Sequence, residues 1–135
     1  MRHRQLISSG SPWELTVGYS RAVRVDDRIF ISGTAPQFPQ GEDCPDDAGA
    51  QARRCLEIIA EALASAGASI ADVTRTRIYL TDVADFEAVS RVHGEMFHDV
   101  RPANTCLVVA ALLDPRWKVE IEAEAVTDPE RSPMI

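Results

Sequence analysis

The chain has no apolar run near the roughly 18 residues that a bilayer crossing requires, so no membrane partner is expected. Its N-terminus carries basic residues but no apolar stretch of h-region length, which argues against a signal peptide and for the cytoplasm. Cysteines are few: Cys44, Cys55 and Cys106 are odd in number and widely spaced, and no CxxC occurs. Neither a disulfide framework nor a zinc knuckle follows, and reduced thiols fit best. Basic residues are scattered, and the net charge of -7 with a pI near 4.9 argues against nucleic acid as the main ligand, although net charge leaves room for one local basic pocket. GxGxxG, P-loop and GxSxG motifs are all absent, and no serine or cysteine is singled out beside a histidine. The histidines are His3, His93 and His98, the last two off the i, i+4 spacing that a helix needs to share a metal. No metal and no cofactor are expected.

Repeats, low-complexity tracts and linkers are missing too. What remains is one domain over residues 1–135, with a tail from Thr127 on that holds two prolines and should fray. Hydrophobic content of 45% and charged content of 26% are ordinary for a globular chain. Residues 17–25 and 28–33 read as two strands, with Asp26-Asp27 as the turn between them. Residues 34–45 hold three prolines and must form a loop. Residues 46–66 predict the strongest helix: Asp46 and Asp47 suit its start, and Gly67 its stop. Ala52, Cys55, Leu56, Ile59, Leu63 and Ala66 recur on one face of it. Residues 73–80 alternate and are β-branched, a strand. A second amphipathic helix spans 85–97, with Phe86, Val89, His93, Met96 and Phe97 on one face. Strands at 105–112 and 117–126 follow, turned by 113–116.

The predicted class is α+β, in the order β-β-α-β-α-β-β. Each helix has one apolar face to hide, so both should pack on one face of a mixed sheet. In the strand from Thr105 both alternating sets are apolar. Such a strand is buried on both sides, and a partner subunit is the simplest cover for the side that the helices leave open.

Three constellations can carry chemistry. Glu120, Glu122 and Glu124 line one side of the last strand. Glu122 and Glu124 suit pairing with Arg75 and Arg77, which alternate in the same way. Glu120 sits at the strand start, where a carboxylate can hold or activate a water. The run Pro102-Ala103-Asn104-Thr105-Cys106 brings donors, acceptors and a thiol to another strand start. Tyr19 and Ser32 lie near strand ends and can border a cleft.

Together Gly18-Tyr19, RIFISGTAP, Ala50-Gln51-Ala52-Arg53, residues 83–97, RPANTC and WKVEIEAEA resemble the Rid family (reactive intermediate deaminases, or YjgF-like proteins). The resemblance covers about residues 15–126, and the last two pieces at their separation carry most of its specificity. It implies a chorismate-mutase-like fold and a homotrimer with clefts between subunits. Deaminating members hydrolyse enamines and imines such as 2-aminoacrylate to 2-keto acids and ammonia. In them an arginine grips the substrate carboxylate as a bidentate fork, and a glutamate positions water. Carried over singly, Tyr19, Ser32 and Cys106 match the cleft tyrosine, serine and cysteine, and Glu120 matches the catalytic glutamate. Ser90 stands where deaminating members often have asparagine. Asn104 stands at the position of the arginine and cannot supply a cationic fork. Arg101 is the nearby cation, about 10 Å off along an extended path, and would need a different loop route to stand in. The resemblance thus implies a hydrolase or deaminase for an imine, enamine or related metabolite other than a simple 2-imino acid. The alternative is a non-catalytic trimer that binds a small metabolite.

Overall fold

The computed structural model describes residues 3–40 and 42–128. Six strands form one sheet: β1 (Arg4–Ile7), β2 (Ala22–Val25), β3 (Arg28–Thr34), β4 (Val73–Leu80), β5 (Ala103–Val108) and β6 (Val119–Val126). Their order across the sheet is β1-β2-β3-β6-β4-β5. Every neighbouring pair is antiparallel except β4 and β5, which run parallel. Helices α1 (Ala48–Ser65) and α2 (Phe86–Phe97) cover one face. The mixed α+β architecture is the one expected. No helix among the described residues is long and apolar enough to cross a membrane.

Local chemistry accounts for most of these elements. The Asp47 carboxylate accepts from the Ala50 backbone N–H at 3.0 Å and caps α1. Gly67, at φ +83, ends the same helix in the left-handed region that favours glycine. Ala52, Cys55, Leu56, Ile59 and Leu63 are wholly buried and meet Ile29, Ile121 and Val119 from the sheet. Asp26 turns the β2–β3 hairpin at φ 54.

Four boundaries differ from expectation. β1 was not foreseen; its four residues, RQLI, are too few to show an alternation, and pairing with β2 is what orders it. The start of the expected strand at 17–25 is instead a π-helical turn, Glu14–Gly18. Buried Glu14 anchors that turn, its carboxylate accepting from Ser9 N at 2.9 Å and Ser9 Oγ at 2.7 Å. β5 stops at Val108 because its parallel neighbour β4 ends at Leu80, the last register pair. Phe86, expected on the buried face of α2, is half exposed, because it opens the helix directly after a 3-10 turn at Val83–Asp85. At the C-terminus, Thr127 is buried and its N–H donates to Asp27 O at 2.8 Å. Residues 129–135 of the tail expected to fray lie outside the described residues.

Candidate functional site

The register between β3 and β6 shifts between Ile31 and Thr34. This irregularity falls on Ser32-Gly33 and frees two strand carbonyls. Arg21 Nη2 donates to Ser32 O at 2.7 Å and to Gly33 O at 2.9 Å. Arg21 was not singled out from sequence, since it reads as one more residue of an alternating strand. Its Nε is buried with no partner among the described residues. Burial holds the guanidinium below its ordinary pKa, against the pull of Tyr19, Glu14 and Glu120.

Glu120 lies over this bulge. A Cβ at Gly33 would sit 3.4 Å from the Glu120 carboxyl carbon and from one of its oxygens, so the carboxylate packs in van der Waals range of the bulge backbone. Desolvation raises the Glu120 pKa, with Arg21 opposing and Glu122 adding to the rise. The other two glutamates behave differently. Glu122 pairs with Arg77 at 3.6 Å and accepts from the Tyr79 hydroxyl. Glu124 pairs with Arg75 at 3.5 Å and lies 3.9 Å from Arg77. Cross-strand pairing thus occupies Glu122 and Glu124, as expected, and leaves Glu120 with a carboxylate not committed to a salt bridge among the described residues.

Ser32 and Tyr19 border an open groove of about 850 Å³ beside this point, shared with Leu6, Glu14, Leu15 and Val23. The Ser32 hydroxyl donates to Ser20 O at 2.7 Å, which ties β3 to the segment before β2. Tyr19 is extended, 40% exposed, and its backbone N–H closes the π turn on Glu14 O at 3.0 Å.

The remaining predicted residues gather elsewhere. Asn104 and Cys106 lie on β5 opposite Thr76 and Ile78 of β4, on the helix-facing side. Asn104 Nδ2 donates to Thr76 Oγ1 at 2.9 Å, and Thr76 Oγ1 meets His93 Nε2 at 2.8 Å. His93, which sequence patterning placed on an apolar face, is satisfied by this contact. Cys106 is partly buried against the core, and burial raises its thiol pKa. Ser90 lies on α2 three residues before His93, hence on the same face. Arg101 closes the turn that follows α2, in the left-handed region at φ 56, its N–H bonded to Phe97 O at 2.8 Å. One chain therefore holds two groups: Tyr19, Ser32 and Glu120 near the bulge, and Ser90, Asn104 and Cys106 at the free edge. β6 and β4 separate the bulge from β5.

Gln51 links the scaffold to the site. It is wholly buried, donates from Nε2 to Pro45 O at 2.8 Å and Arg116 O at 3.0 Å, and accepts the Lys118 N–H at 2.7 Å. It thereby fixes the backbone two residues before Glu120. Among the described residues no group of His, Cys, Asp or Glu is arranged to hold a metal.

One mixed sheet with both helices on one face, and a half-buried carboxylate at the start of β6, defines the chorismate-mutase-like α+β class. The family model described as Endoribonuclease L-PSP matches residues 12–127, and the chain belongs to that family, the YjgF/Rid family of the resemblance. A solved member of the YjgF/YER057c/UK114 family from Mycobacterium tuberculosis is 43% identical with a TM-score of 0.85, covering 93% of this chain and 100% of its own. The 3-aminoacrylate deaminase RutC of Acinetobacter baylyi is 36% identical over 122 residues, 89% of this chain and 94% of the relative. The 2-iminobutanoate/2-iminopropanoate deaminase of Capra hircus is 37% identical over 128 residues, 93% of this chain and 92% of the relative.

Proposed function

We propose that the protein is a homotrimeric hydrolase of the deaminase type, acting on a small imine or enamine with Glu120 as the water-handling group. The observation that carries this is Glu120 itself, uncommitted, half-buried over Gly33, and raised in pKa by desolvation. A carboxylate raised toward working pH is a better base for a bound water. Glu120 takes one proton as the water oxygen adds to the C=N carbon and passes it to the nitrogen; it then takes the remaining hydroxyl proton and passes that to the nitrogen as the C–N bond breaks and ammonia departs. Imine plus water then gives carbonyl plus ammonia. Relatives named as deaminases of 3-aminoacrylate and of 2-imino acids support the reaction class.

The substrate differs from a simple 2-imino acid, because Asn104 offers no charged fork for a carboxylate. The trimer supplies what one chain lacks. Leu107 and Val108 on edge strand β5 are 52% and 54% exposed, and Leu15 beside the groove is 94% exposed. Docking the β5 edge of one subunit against the groove of the next would cover these residues. It would also bring Asn104, Cys106 and Ser90 to Tyr19, Ser32 and Glu120. Sedimentation and a coupled assay with imines and enamines of varied head group test the reading. The expected result is a trimer whose activity falls about a hundredfold or more in Glu120→Gln with the mass unchanged. A stable monomer at micromolar concentration, or an unaffected Gln variant, would overturn it.

A further inference from the structure

Asn104 is held by its nitrogen. Nδ2 lies 2.9 Å from Thr76 Oγ1 and 3.5 Å from the Thr76 backbone oxygen. A backbone carbonyl only accepts, so the end of the amide beside it is the NH2. The reverse orientation would set Oδ1 against that carbonyl, two acceptors with no proton between them. Thr76 Oγ1 also meets His93 Nε2 at 2.8 Å. Its single hydroxyl proton serves that contact when it is donated to an unprotonated Nε2, while Oγ1 receives from Asn104. Burial disfavours the imidazolium at His93 and suits this arrangement. Thr76 is wholly buried, so the chain His93, Thr76, Asn104 is set from the inside. Asn104 is exposed at the free edge of the sheet. With Nδ2 turned inward, Oδ1 is the outer end of the amide, and no described residue is bonded to it.

We propose that Asn104 is a fixed hydrogen-bond acceptor, which selects ligands carrying an N–H or O–H donor, such as a carboxamide, and rejects a carboxylate at the same position. Thr76 and His93 are its positioning residues. The inference rests on the proposed cleft at the β5 edge and names the head group that the cleft takes. A carboxylate there would face the lone pairs of Oδ1 with no proton to share, whereas a carboxamide donates directly.

NMR on the labelled full-length protein tests both parts. The Asn104 side-chain protons should show cross-relaxation with the Thr76 side chain and slow exchange. Pyruvamide and pyruvate, titrated separately, should shift the Ser90, Asn104 and Cys106 signals, with pyruvamide bound at least about tenfold more tightly. Thr76→Val should shrink that ratio to about threefold or less while the variant keeps the dispersed amide spectrum of the folded protein, which separates lost positioning from lost structure. If the variant does not fold, the wild-type ratio and the Asn104 side-chain contacts decide. Pyruvate binding equally well or better at these residues would overturn the acceptor assignment and leave the cleft standing. Missing Asn104–Thr76 contacts would overturn the orientation. Shifts elsewhere, or none with either probe, would overturn the cleft and the inference together.

Discussion

Replacing Gln51 with methionine should destabilise the protein by about 3 kcal/mol, because one wholly buried amide serves three loop groups. Methionine keeps the volume, so the cavity contribution is small. What is lost is the pairing. A hydrogen bond removed with its partner still able to reach water costs about 1 kcal/mol, and one that leaves a buried group unpaired costs about 1–3 kcal/mol. Arg116 is exposed, so its carbonyl can recover water, while Pro45 and Lys118 are only partly accessible. The Lys118 N–H sits next to the start of β6 and is the costliest to strand. Against a typical total of about 5–15 kcal/mol this is a large fraction. The melting temperature should fall by about 10 °C for a domain of this size. Gln51→Glu should be worse, because a carboxylate still accepts from Lys118 but confronts two carbonyl oxygens. Urea unfolding of the three proteins, read as midpoint and slope, measures this. Turnover should fall as well, because Lys118 no longer anchors the backbone that aims Glu120. A loss below about 1 kcal/mol in the methionine variant would refute the reasoning, since it would mean that the loops repair themselves with water.

Burial lowers the His93 pKa in the folded protein, so the unfolded chain binds the extra proton first as pH falls. Stability should therefore drop as pH goes below the ordinary histidine value of about 6.5 and level off below the lowered folded value. His93→Gln should flatten that part of the profile in urea melts, and an unchanged slope would assign it to other groups. Asp47→Ala should remove the α1 cap and cost about 1 kcal/mol, checked by the same melts. Asn104→Arg should raise 2-aminoacrylate turnover in an assay that generates the substrate in situ, at a stability cost of about 1 kcal/mol for the lost Thr76 bond. Wild-type turnover already matching the variant would show that Arg101 or another cation grips the carboxylate.

The amino-acid pattern alone determined the amphipathic α1 with its Asp47 start and Gly67 stop, and the alternation that puts Arg75 and Arg77 on one side of β4 and Glu122 and Glu124 on one side of β6. These follow from periods of 3.6 and 2 and from charges that alternate in step, which nearest neighbours along the chain suffice to set. Glu120 stood out for the same reason, as the first carboxylate of a stripe whose other members have partners. Tertiary structure decided the rest. Thr16 and Val17 have strand propensity, yet burial of the Glu14 carboxylate winds them into a turn. Arg21 reaches over the β3 bulge to two carbonyls, and Gln51 bridges to residues 65 and 67 positions further along the chain. Asn104 looked like a ligand-facing residue in its local run, and the register of β5 on β4 turned its nitrogen inward to Thr76. Which groups meet across strands depends on register and on bulges, and those are settled by long-range pairing and packing rather than by any local sequence preference.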